Sequence, residues 1–318
     1  MNAEIKPRID LEGRTRLETV IPLSTPYLVF LDPCDICNGG CWFCPSGDPA
    51  FVKTFRKPQL MDFDLYKKII DDLATMPEPI KTLRLYADGE PLLNPQFPEM
   101  ARYAKNTGRF ISIDSTTNGL LIDQKLTQRL SVSGLDKIFI SVPQGYNQEY
   151  IDNVRYLYLQ SPVGFKIYIK IIGDGMDPGA IKKFYDDFGN YSDRIFVESL
   201  INCWPGFDAV PDPPSVGIYG NPLTKTNICP YLFYSLKINS DGTVSLCFLD
   251  YRHEMYLGDL KYESFKGIWN GVLLRNIRMD HLRGYRMKVS TNCVNCKQLI
   301  YGAPDILDPY ASELVKKI

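Results

Sequence analysis

The chain has 318 residues, with 36 Lys plus Arg against 37 Asp plus Glu, a net charge of −1, 45% hydrophobic and 23% charged residues. That length can bury a large core and suits one large domain or two unequal ones, and the composition is that of an ordinary globular chain. The near-neutral charge, without long runs of one sign, excludes nucleic acid as the main partner, which would need a basic field. No stretch of about 18 apolar residues is present for a membrane span. The polar start Met1–Arg8 has no apolar core of a signal peptide, so a cytoplasmic protein without a membrane partner is expected. Nine cysteines are many for a compartment that keeps thiols reduced, which favours metal ligation over disulfides. Only two histidines, His253 and His281, are present, so a Cys/His zinc site or a Ser–His triad has little material.

In chain order, residues 1–25 are polar and Pro-punctuated and read as an arm lying on the fold. Apolar, β-rich runs at 27–32, 80–86, 110–115, 136–141, 164–172 and 193–201 read as strands. Amphipathic stretches near 62–75, 96–107, 123–133, 147–160 and 178–188 read as helices. In the first helix Leu65, Ile69, Ile70 and Leu73 share a face, and Asp62 is placed to cap it. Six near-continuous apolar strands alternating with helices predict a parallel sheet covered by helices. Six units rather than eight predict an α/β partial (β/α)6 TIM-like barrel, open on one side, with its ligand site at the C-terminal strand ends. Trp204-Pro205-Gly206 and Pro211-Asp212-Pro213-Pro214 then read as a linker. A second unit follows: a hairpin, Leu232–Asn239 and Thr243–Leu249 around Ser240-Asp241-Gly242, then a helix around 263–282 and a C-x2-C pair. The expected division is an arm over 1–25, a barrel over 26–205, and a linker with a small β-hairpin and helix domain over 206–318.

Cys37, Cys41 and Cys44 stand at C-x3-C-x2-C spacing in a Gly-rich loop after the first strand. Three thiolates cannot close a tetrahedral zinc site. They can hold three irons of a [4Fe–4S] cluster and leave the fourth open. Gly89, Glu90 and Pro91 form a turn after the second strand, Thr117-Asn118-Gly119 follows the third, and Ser141 ends the fourth. Lys166 and Lys170 lie in the fifth strand and Glu198 in the sixth. A charge inside an apolar strand is costly unless paired or used, so these residues either pair across the barrel lumen or bind a substrate hydroxyl and accept its proton. Cys229, Cys247, Cys293 and Cys296 form a second set, and on spacing alone a hairpin plus C-x2-C is also how a zinc ribbon is built. Cys34 and Cys203 are left over; Cys34 reads as a packed thiol, and Cys203 as a residue near the barrel mouth.

The cysteine triad with Phe43 before its last member resembles the signature of the radical S-adenosylmethionine (radical SAM) enzymes. Cys229-Pro230, the Asp241-Gly242 turn, Cys247, Gly258-Asp259-Leu260, Ile268-Trp269-Asn270 and Cys293-x2-Cys296 together resemble their SPASM/Twitch extension. The resemblance covers about residues 25–300. It implies a SAM-cleaving [4Fe–4S] cluster on Cys37, Cys41 and Cys44, and an auxiliary [4Fe–4S] cluster on Cys229, Cys247, Cys293 and Cys296. It also implies SAM held by Phe43 at the adenine, Gly89 and Glu90 at the methionine moiety, and Thr117, Asn118 and Ser141 on the ribose side. Asp88 stands where the family has the first Gly of a GGEP stretch, and the Asp of the family's Ser-x-Asp-Gly loop is absent after Ser141.

The implied reaction is hydrogen abstraction by a 5′-deoxyadenosyl radical from a hydroxyl-bearing carbon of a small polar substrate: a sugar, an aminocyclitol or a nucleoside. Dehydrogenation, with the auxiliary cluster as electron acceptor, is the first expectation. Epimerisation with Cys203 as hydrogen donor is its variant. An external electron donor of the flavodoxin or ferredoxin type is implied. A peptide-modifying maturase is a second reading, weakened because Phe248 follows Cys247 where peptide sulfatase-maturing relatives carry Asp. A non-catalytic iron or zinc scaffold is the third.

Overall fold

The computed structural model describes residues 1–7, 13–207, 217, 222–223, 226–294, 296–303 and 305–318. The Pro211–Pro214 part of the expected linker and Asn295 of the C-x2-C pair lie outside the described residues. In chain order the strands are β1 (Glu4–Ile5), β2 (Leu28–Leu31), β3 (Ile80–Arg84), β4 (Phe110–Thr117) and β5 (Lys137–Val142). They continue with β6 (Lys166–Ile172), β7 (Arg194–Glu198), β8 (Ser235–Ile238), β9 (Thr243–Ser245) and β10 (Tyr256–Asp259). Together they form one sheet in the order β1-β7-β6-β5-β4-β3-β2-β8-β9-β10.

Strands β2 to β7 are parallel neighbours. The helices Phe63–Ala74, Phe97–Asn106, Gln124–Ser131, Gln148–Gln160 and Pro178–Phe188 connect them in turn. This is the predicted α/β pattern, and β1 and β10 are the two ends of the sheet, so it stays open. Four of these helices start on an Asx cap: Asp62, Asp123, Asn147 and Asp177 each accept first-turn N–H groups that have no helical partner. Their inner faces close on strand residues such as Val29, Leu83, Ile113, Ile138 and Ile169, all essentially inaccessible to solvent.

Three elements differ from the sequence expectation. The N-terminal arm adds an edge strand: Glu4 and Ile5 pair in parallel with Arg194 and Ile195, and the N–H groups of Asn2 and Ala3 donate to the Gly189 carbonyl. Two residues are too few to show a strand period. The C-terminal hairpin does not stand apart, because β8 pairs in parallel with β2, Leu28 opposite Ser235 through Leu31 opposite Ile238. The stretch 263–282 is two helices, Phe265–Trp269 and Val272–Leu282, parted at Asn270-Gly271, where glycine favours a break.

A buried ionic cluster ties the hairpin to the turn after β3. The Lys237 ammonium, fully buried on β8, binds the Asp88 carboxylate and donates to the Asp250 carbonyl at 2.9 Å. His253 Nε2 lies 2.8 Å and Arg56 Nη1 3.1 Å from the same Asp88 oxygen. The Asp88 N–H donates to Asp32 at 3.0 Å, and the Ser46 hydroxyl donates to the Asp88 carbonyl. Burial would raise the Asp88 carboxyl, but Lys237, His253 and Arg56 outweigh it and hold the group well below the usual carboxylate range. Asp32, buried beside the Asp88 charge, is pushed well above that range instead.

Removing one member of a buried pair strands the other. Lys237→Met is therefore expected to destabilise the protein by about 3–5 kcal/mol in denaturant unfolding, and Lys237→Met with Asp88→Asn by less than the sum of the two. Because the folded-state pKa of Asp88 is lowered, its contribution is complete above the unfolded value of about 3.9 and is lost as pH falls below it. The stability gap between the native protein and Asp88→Asn should thus close between about pH 4 and lower values.

Candidate active site

The cysteine loop is held at the C-terminal end of β2 by close backbone packing. A Cβ on Gly89 would lie 2.2 Å from the Cys34 carbonyl oxygen and 2.5 Å from that of Ile36, so only glycine fits. The Glu90 N–H donates to the Ile36 carbonyl at 2.8 Å. The buried Glu90 carboxylate accepts from the Thr117 hydroxyl at 2.7 Å, the Asn118 N–H at 2.7 Å and the Leu92 N–H at 3.0 Å. Burial raises its pKa and these donors oppose that. Asn118 Nδ2 reaches the Asn38 side chain at 2.8 Å inside the cysteine loop. Three separate sequence motifs, at 37–44, 89–91 and 117–119, thus form one hydrogen-bonded unit. Ser141 sits on β5 opposite Lys170 of β6.

Cys37 and Cys41 converge over Gly39, whose added Cβ would lie 3.5 and 3.8 Å from their sulfurs. The Gly39 N–H donates to Cys37 Sγ at 3.4 Å. Burial raises all three thiols; Cys44, with Cys41 and Cys37 as charged neighbours, is pushed up to about 12. Such thiols stay protonated alone, and a bound cationic centre is what would deprotonate them. The donor set fits a cluster with three ligands. Cys34 is fully buried, donates to the Ile36 carbonyl at 3.3 Å and is pushed up to about 12, which marks a packed thiol.

Cys229, Cys247, Cys293 and Cys296 line one small cavity with His281 and Arg286. Burial and mutual charge raise Cys229, Cys247 and Cys293; Cys293 reaches about 12. The Leu249 N–H donates to Cys247 Sγ at 3.4 Å. Among the described residues no three Cys, His, Asp or Glu side chains close on a single ion. Four cysteines around one small cavity are the donor set that a [4Fe–4S] cluster takes.

Between the two cysteine sets lies a cavity of about 550 Å³. Phe43 of the cysteine loop borders it on one side, and Tyr231, Phe248, Leu249 and Gln298 of the C-terminal region on the other. Lys170, Glu198 and Cys203 all face it. Lys170 and Glu198 form a short ion pair, and the Lys170 charge also acts on Cys41. Lys166 is elsewhere, paired with Asp193 at 2.8 Å on the exposed side. Phe30 stacks on Phe248 with centroids 5.0 Å apart, and Phe248 meets Tyr231 edge-on at 4.9 Å, so aromatic contacts run from β2 into the C-terminal region. Sequence reasoning missed Lys237, Arg56, His253 and His281. Lys237, a charge within Ser235–Ile238, carried the same signal that singled out Lys170.

Two family models match the chain: the radical SAM superfamily over residues 31–170 and an iron–sulfur cluster-binding (SPASM) domain over 229–297. The tungsten-containing aldehyde ferredoxin oxidoreductase cofactor-modifying protein of Pyrococcus furiosus is 31% identical over 109 residues, 34% of this chain and 26% of that protein. The first curated relatives are matched over only 26% to 35% of their own length. The S-adenosyl-L-methionine-dependent 2-deoxy-scyllo-inosamine dehydrogenase of Niallia circulans is 22% identical over 274 residues, 83% of this chain and 89% of that enzyme. The crystal structure of BtrN in complex with AdoMet and 2-DOIA superposes with a TM-score of 0.63 at 18% identity, covering 89% of this chain and 97% of that one. The cofactors that accompany both matched models are a SAM-binding [4Fe–4S] cluster, SAM and an auxiliary cluster. The chain belongs to the radical SAM superfamily and carries a C-terminal SPASM-type iron–sulfur domain.

Proposed function

We propose that this protein oxidises a hydroxyl-bearing carbon of a small polar substrate, an aminocyclitol or sugar, to a ketone. The carrying observation is the 550 Å³ cavity, bordered by Phe43 next to Cys44 and by Phe248 next to Cys247. A substrate there lies between the proposed sites of radical initiation and of electron exit. When bound, SAM and its cluster supply a radical that removes one hydrogen atom, and the auxiliary cluster supplies an acceptor for one electron.

The chain's own residues then have these roles. Cys37, Cys41 and Cys44 hold the first cluster and Cys229, Cys247, Cys293 and Cys296 the second. Phe43, Gly89, Glu90, Thr117, Asn118 and Ser141 surround SAM; the Glu90 carboxylate acts largely by locking the 89–91 and 117–119 turns together. The Glu198 carboxylate, oriented by Lys170, accepts the hydroxyl proton. Phe30 and Phe248 add apolar rings to a cavity wall that also carries charged side chains. The alignment with the 2-deoxy-scyllo-inosamine dehydrogenase over 83% of this chain supports the substrate class, and an external flavodoxin- or ferredoxin-type protein would reduce the first cluster. Cys203 lines the same cavity, which favours epimerisation as the second reading.

Anaerobic reconstitution should load about eight irons per chain, two clusters of four. With 2-deoxy-scyllo-inosamine as the first substrate in a panel of cyclitols and sugars, 5′-deoxyadenosine and a ketone should form in equal amounts. Solvent deuterium at the reacting carbon after turnover in D2O would replace dehydrogenation by epimerisation, and a Cys203→Ala variant of full activity would remove the donor role. Glu198→Gln should lower ketone formation about a hundredfold or more with SAM affinity unchanged; an unaltered rate sinks its role as base.

A further inference from the structure

His281 is the fifth group facing the auxiliary cysteines. The helix Val272–Leu282 places it at 1% exposure, and its ring lines the cavity shared by Cys229, Cys247, Cys293 and Cys296. Its Nδ1 lies 3.5 Å from the Cys229 backbone nitrogen and accepts that N–H. A ring nitrogen that accepts carries no proton, so the imidazole proton is on Nε2. Nε2 is buried and has no hydrogen-bond partner. A buried donor without an acceptor is costly, and the cavity that His281 borders is the one lined by the four cysteines. Arg286 borders the same cavity, its Nη2 donating to the Val294 carbonyl at 3.3 Å.

We propose that His281 donates a hydrogen bond from Nε2–H to a sulfur of the auxiliary cluster and thereby raises that cluster's reduction potential. The inference rests on the reading of the four cysteines as a cluster site. A donor to sulfur stabilises the more negative, reduced cluster. The proposed reaction uses this cluster as its acceptor: the substrate radical gives up one electron and its hydroxyl proton to become a carbonyl, the proton going to Glu198 and the electron to the auxiliary cluster, and a higher potential makes that transfer more favourable. His281 is a positioning and tuning residue, since it touches the cofactor's ligand shell and not the substrate.

The test uses the full chain with Cys37, Cys41 and Cys44 all changed to Ala, so that a single cluster signal is read. That protein, reconstituted with iron and sulfide, should hold about four irons. In an EPR-monitored redox titration, His281→Phe, which fills the space without a donor, should lower the equilibrium constant for reduction about tenfold, a shift of about 59 mV to more negative potential. His281→Gln, which keeps an N–H, should recover at least half of that shift. An unmoved potential in His281→Phe, or equal shifts in Phe and Gln, overturns the inference. Loss of iron in His281→Phe alone supports it, and loss in both variants overturns it. No iron, or one zinc, in the triple-Ala background overturns the cluster assignment itself and the inference with it.

Discussion

The Asp88 carboxylate, buried in the turn that follows β3, is the point on which the rest of the structure depends. It gathers Lys237 from β8, His253 from the loop before β10, and Arg56 from the segment after the cysteine loop. Arg56 also faces Asp35 at 3.6 Å and donates to the Tyr251 carbonyl. Charges at this depth persist only when each is paired and hydrogen bonded, so the four segments cannot move independently. The substitution that departs from the family's glycine at position 88 thereby gains a structural reason. A glycine would leave Lys237 buried without a counter-charge.

This cluster sets the distance between the two cysteine sets. Asp88 begins the turn whose next residues, Gly89 and Glu90, brace the loop of Cys37, Cys41 and Cys44. Lys237 belongs to the hairpin that leads to Cys247. Parallel pairing of β8 with β2 adds a second restraint, because β2 is the strand that feeds the first cysteine loop. The cavity between the sets, and the aromatic contacts from Phe30 through Phe248 to Tyr231, follow from those two restraints. A rigid spacing suits chemistry in which a reactive intermediate must be generated at one wall and drained at the other.

Within the cavity, the pairing of Lys170 with Glu198 shows how an open alternative in the sequence is compatible with both of its readings. The two side chains meet across neighbouring strands, as a structural pair would, and both still border the cavity. The pair holds the Glu198 carboxylate in a fixed position at the cavity wall. Phe248, next to Cys247, contributes an apolar ring to the cavity wall opposite Lys170 and Glu198.

The sequence by itself determined the alternation of strands and helices, the two cysteine sets and the turns that carry Glu90 and Asn118. Apolar periodicity, Asx caps and cysteine spacing are local properties, readable without knowing what lies nearby. It also flagged Lys170 and Glu198, because a charge in an apolar strand is a local anomaly. Only the tertiary structure decided that β1 and β8 extend the sheet, since strands of two and four residues carry too little pattern to announce their partners. Likewise, only the fold could bring Asp88 to Lys237, 149 positions later, and His281 to Cys229, 52 positions earlier. These contacts depend on three-dimensional proximity and on burial, and burial is what turns an ordinary lysine into an anchor and an ordinary histidine into an orphaned donor.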